Sequence, residues 1–130
     1  MIPRRKYGNK KIVNTEGEFD SKGEYLRWLV LLEAERCGTI HNLRRQVQFE
    51  LLPTQYKTVL VPMKTKVKEL KRVAERPVTY VADFVYEKGG ETIAEDFKGF
   101  PDEKYPIKRK MMLFFHKIAV REVKKPGEPI

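Results

Sequence analysis

"VTYVADFVYEKGGETIAEDFK", Val78–Lys98, carries two strand signals joined by a turn. The first arm is rich in β-branched and aromatic residues, which suit a pleated surface. Gly89-Gly90 supplies the positive φ angles of a two-residue hairpin loop. The second arm, Thr92–Lys98, is broken by Gly99 and Pro101. Side chains two apart share a face of a strand. Thr79, Val81, Asp83 and Val85 are thus expected on one face, and Val78, Tyr80, Ala82, Phe84 and Tyr86 on the other. In the second arm Thr92, Ala94, Asp96 and Lys98 fall together, with Ile93, Glu95 and Phe97 opposite. Pairing through the glycines sets Glu87 against Thr92 and so Asp83 against Asp96. Facing carboxylates repel. A divalent cation reverses that sign, because Mg²⁺ takes one or two carboxylates and completes its shell with water and phosphate. Lys98, about 6.6 Å past Asp96 along the strand, is placed to orient a water or offset charge on a phosphate. The plainer readings are an exposed Asp96/Lys98 pair and an Asp83 satisfied by backbone amides. Glu95 faces away and reads as structural, paired with a basic side chain.

Upstream, "FDSKGEYLRWLVLLEAERCG" (Phe19–Gly38) is the strongest helix signal: Ser21 as N-cap, Glu24 closing an S-x-x-E capping box, Gly38 just past the end. "RRQVQFELLP" (Arg44–Pro53) follows as a strand with Val47, Phe49 and Leu51 alternating. Residues 54–76 form a basic insert; Val67, Leu70, Val73 and Ala74 at helix-like spacing favour a basic helix or an irregular extension. Downstream, Pro106 opens a helix, "IKRKMMLFFHK", whose Met111, Met112, Phe114 and Phe115 read as core or as an apolar dimer face. "IAVREV" is a last strand. Cys37 is expected as a packed thiol, and His41 and His116 lack partners at ligand spacing. Residues 1–18 read as a flexible basic arm, 19–124 as one domain, and 125–130 as a tail. The expected class is α/β: one mixed sheet flanked by helices, in the order α-β-β-β-α-β.

Composition agrees with a folded chain: 130 residues, 41% hydrophobic, with one cysteine that cannot form an internal disulfide. The longest apolar run, Trp28–Leu32, falls far short of the ~20 residues of a membrane span, and no signal peptide is legible, so a cytoplasmic protein is expected. The net charge is +9 with pI near 9.7. Its excess sits at the ends: Arg4, Arg5, Lys6, Lys10 and Lys11 at the start, and eight basic residues against Glu122 between Lys104 and Lys125. Clustered cations of this kind point to a polyanion partner, through counterion release from phosphates.

Asp83, the hairpin and "EDFK" with Asp96-x-Lys98 resemble the PD-(D/E)xK motif of the restriction-endonuclease-like nucleases. The helix bearing Glu24 ahead of the sheet resembles the core of that superfamily. With "FDSKGEYLRW", "RRQVQFEL" and "YVADFVY", the chain also looks like an uncharacterised phage-associated family distantly similar to Holliday-junction resolvases. The resemblance spans about residues 19–120; Ala82 stands where the name-giving proline would be. It implies Asp83 and Asp96 as ligands of Mg²⁺ or Mn²⁺, Lys98 as the catalytic lysine, and Glu24 as the helix carboxylate completing the site through a water. It implies a homodimeric endonuclease on duplex or branched DNA. Arg4, Arg5, Lys6, Lys108 and Lys110 are then expected on phosphate. The alternatives are a nucleic-acid-binding module without chemistry and an interaction protein charged for solubility.

Overall fold

The computed structural model describes residues 11–97 and 102–130. A short hairpin, β1 (Ile12–Asn14) and β2 (Gly17–Phe19), comes first. It occupies part of the stretch expected as a flexible arm. The Asn14 side chain accepts from the Glu16 N–H and Gly17 takes φ 127°, closing the turn. Phe19 is buried, which anchors the hairpin to the body. Helix α1 (Lys22–Arg36) starts as expected, with Ser21 Oγ accepting from the Glu24 N–H at 3.1 Å. Cys37, beyond its end, is exposed and not packed.

Strands β3 (His41–Leu52), β6 (Val78–Lys88), β7 (Glu91–Phe97) and β8 (Arg121–Val123) form one mixed sheet in the order β3-β6-β7-β8. The first two pairings are antiparallel and β7–β8 is parallel. The parallel step needs a crossover, supplied by α2 (Tyr105–Met111) and the π-helical turn Met112–His116. Leu31, Ala34 and Ile40 pack on Phe84 and Tyr86 on the α1 side of the sheet. Tyr105 and Met112 pack with Leu51, Tyr80, Ala82, Val85 and Ala94 on the α2 side. The protein is therefore a mixed α/β domain, mostly strand.

Four further expectations change. Residues 54–76 are not helical: β4 (Gln55–Pro62) and β5 (Val67–Glu75) pair as an antiparallel ribbon closed by Met63 N–H to the Lys66 carbonyl at 2.8 Å. β-Branched Thr58, Val59 and Val61 on the facing strand favour pairing over the three-residue spacing of Val67, Leu70 and Val73. Phe114 and Phe115 are 68% and 49% exposed, so of the four apolar residues read as core only Met112 is fully buried. The C-terminal tail is docked, because Arg27 Nη1 donates to the carbonyls of Pro126 (3.0 Å) and Glu128.

The fourth change concerns alternation along β6. Tyr80 and Ala82 share a core with Val85, not with Phe84 and Tyr86. On β3 the same switch occurs: Leu43 packs on the α1 side and Val47 and Phe49 on the α2 side. The register Arg45↔Phe84 and Val47↔Ala82 places the switch at Gln46 and Asp83. Gln46 has φ 50°, and a left-handed residue inside a strand turns the following side chains to the other face.

Candidate active site

The β6–β7 ladder runs from Lys88↔Glu91 through Glu87↔Thr92 to Phe84↔Glu95. Its next step sets Asp83 beside Asp96, and the two carboxyls are within hydrogen-bonding reach. Asp83 Oδ2 accepts from the Phe97 N–H at 2.8 Å, and its Oδ1 from Gln46 Nε2 at 3.3 Å. Asp96 is 5% exposed and accepts from the Tyr80 hydroxyl at 2.7 Å. Burial, and then that bond, push the Tyr80 hydroxyl up, so it stays protonated as a donor.

Glu24 reaches the same place from the first turn of α1. Its backbone N–H serves the cap, which leaves the carboxylate to accept from Gln46 Nε2 at 3.3 Å. The two hydrogens of one Gln46 amide thus tie Glu24 to Asp83. Glu24 is 4% exposed, and burial, followed by the charge of Asp20, pushes its carboxyl up. Asp83 is pushed up to about 8, chiefly by burial, then by the bond to Asp96 and the charges of Glu24 and Asp96; the Phe97 N–H opposes this. Gly23 keeps the helix start close, since a Cβ there would lie 2.7 Å from the Phe97 ring. Arg45, stacked 3.7 Å from the Phe19 ring centroid, is the cation that offsets the Glu24 charge. Its buried Nε has no partner.

Three of the sequence-expected residues, Glu24, Asp83 and Asp96, therefore come together. Lys98, Arg4, Arg5 and Lys6 lie outside the described residues. Lys108 is half-buried and Lys110 exposed on α2. Glu95 is on the opposite face, as expected, and is fully buried. Arg27 Nε and Nη2 grip its carboxylate at 2.8 and 2.9 Å, and the Tyr86 hydroxyl also donates to it. Among the described residues no three carboxylate, imidazole or thiolate groups converge as a ready metal cage. Mg²⁺ does not need one, since two carboxylates, waters and substrate phosphate complete its octahedron. Asp83 and Asp96 fit that donor set, with Glu24 set back behind Gln46.

Sequence reasoning missed Gln46, because "RQVQF" shows nothing that marks a left-handed residue. Such a residue at φ 50° stores about 1–2 kcal/mol of backbone strain. Gln46→Gly is expected to be more stable than Gln46→Ala by about 1 kcal/mol in urea unfolding, although both lose the amide bridge. Equal stabilities would remove the strain argument.

The protein is thus a strand-rich α/β domain with three carboxylates gathered beside the β6–β7 pairing. Residues 4–125 match the family described as "Protein of unknown function (DUF1064)", and the chain belongs to that family. No curated protein and no solved structure matches it significantly.

Proposed function

We propose that the protein is a Mg²⁺- or Mn²⁺-dependent endonuclease of the PD-(D/E)xK type, hydrolysing phosphodiester bonds in DNA, branched DNA included. The observation that carries this reading is the pairing of half-buried Asp83 with buried Asp96, with buried Glu24 held to Asp83 through Gln46. Three acids so arranged cannot all ionise without repulsion, which the raised Asp83 carboxyl reflects; a proton held at Asp83 relieves it in the metal-free protein, and a shared divalent cation would relieve it with all three ionised. Setting aside the two hairpins, the elements run α1, β3, β6, β7, α2, β8, an order consistent with the restriction-endonuclease-like core.

Asp83 and Asp96 would hold the metal, which when bound supplies Lewis acidity and lowers the pKa of water at neutral pH. The chain's own groups supply the positioning. The Phe97 N–H and the Gln46 amide orient Asp83, and the Tyr80 hydroxyl orients Asp96. Glu24 would hold a water by accepting its proton, and Lys98 would sit against the phosphate. The exposed apolar Ile107, Leu113, Phe114 and Phe115 support a homodimer through α2 and the turn after it. No helix among the described residues is long and apolar enough to cross a membrane.

The test is incubation of the pure protein with a four-way junction and a linear duplex in Mg²⁺, Mn²⁺ or EDTA. Cleavage is expected with either cation and not in EDTA. Melting should also shift upward with Mg²⁺, since a ligand held only by the folded state stabilises it. DNA binding without cleavage of either substrate would overturn the nuclease reading in favour of a binding module.

A further inference from the structure

We propose that the β4–β5 ribbon is a DNA-gripping arm that lays one face into the major groove of duplex DNA. The proposal shares the nucleic-acid partner of the nuclease reading but not its chemistry. The ribbon contributes no residue to either hydrophobic core. Most of its side chains are exposed on both faces: Lys57, Lys68 and Arg72 on one, and Tyr56, Leu60, Val67 and Val73 on the other. An isolated two-stranded ribbon is marginal in water, so a free-standing one is best explained by a partner that covers it. Its charge identifies the partner's chemistry: residues 54–76 hold seven basic side chains against two acidic ones.

The register sorts those charges by face. Lys57 pairs with Arg72, Val59 with Leu70, and Val61 with Lys68, so one face carries three cations around a half-buried apolar strip. The sole acid of that regular ladder, Glu69, pairs with Leu60 on the other face. Lys71 is on that other face too, its Nζ 4.4 Å from the Tyr56 ring centroid. The eight residues of β4 extend about 27 Å at ~3.4 Å each. A two-stranded ribbon fits the roughly 12 Å major groove of B-DNA. It does not fit the deep, narrow major groove of A-form RNA.

The experiment measures binding of a fluorescent 20-base-pair DNA duplex to the full chain in EDTA, across a salt series. Lys57→Ala/Lys68→Ala/Arg72→Ala is expected to weaken binding by roughly tenfold or more and to reduce the salt slope by about 2.7, near 0.9 per lost phosphate contact. Lys57→Arg/Lys68→Arg/Arg72→Lys, which keeps the charge and the exposed positions, should keep the slope. A duplex RNA competitor should displace the DNA poorly. An alanine triple that binds like the parent, or RNA that competes as well as DNA, overturns the ribbon proposal and leaves the nuclease reading standing. Absence of DNA binding by the parent chain would overturn both.

Discussion

Asp83→Asn and Asp96→Asn are each expected to lower metal-dependent DNA cleavage by about 10³-fold, roughly 4 kcal/mol of transition-state stabilisation. Asp83→Asn should at the same time make the metal-free protein more stable at pH 8, by about 1 kcal/mol or roughly 4 °C in Tm. The cause is the setting of the carboxyl. Burial, Asp96 and Glu24 push Asp83 up to about 8, whereas in an unfolded chain it titrates near 3.9. The folded protein therefore binds more protons between those values. The contribution of Asp83 to metal-free stability is full below about pH 4 and is lost as pH rises toward 8. An amide carries no charge to desolvate and keeps a donor for Asp96, so the variant's profile should be flatter over the same window. Cleavage assays with Mg²⁺ and thermal melts in EDTA from pH 5 to 8 check both halves. A folding defect would lower activity and Tm together. Opposite movements are the signature of carboxylates kept for a cation at a cost in stability. Variants that lose stability and keep cleavage would sink this assignment.

Local chemistry made part of this site legible. Gly89 and Gly90 take φ 59° and 82°, and the hairpin they close delivers the expected Glu87↔Thr92 register. Ser21 caps α1 because capping depends on residues three apart. Features set by distant or irregular backbone were not legible. The period-two rule puts Tyr80 and Phe84 on one face, yet a left-handed Gln46 on the neighbouring strand accompanies a switch of faces between them. The ribbon departs from the expected helix for a related reason. Strands exposed on both faces have no buried side to impose alternation, so the spacing of Val67, Leu70 and Val73 looked helical. Arg27, on a helix with charges all along it, gave no sign that it would be fully buried. Its partner Glu95 lies 68 residues away.

That pair sets the second large effect. Arg27→Met is expected to destabilise the fold by about 3–5 kcal/mol, the range for removing one partner of a buried ion pair. Glu95 has no exposed surface, and without Arg27 its charge would rely on the Tyr86 hydroxyl and on Arg121 at 3.7 Å. Pro126 and Glu128 would lose a donor as well, releasing the tail from α1. Arg27→Met/Glu95→Leu removes both charges and fills the space with apolar groups, so it should cost clearly less than Arg27→Met alone. Urea unfolding of the parent, both single variants and the double closes the cycle; strict additivity would mean the bidentate contact contributes nothing of its own. The pair also bears on the site, because Glu95 fixes on one face of β7 the strand position that presents Asp96 on the other. If Arg27 and Glu95 act only as this anchor, the double variant should cleave DNA with unchanged metal dependence once it is folded. A folded double variant that has lost cleavage would show that the charges, and not only the anchored strand, are needed at Asp96.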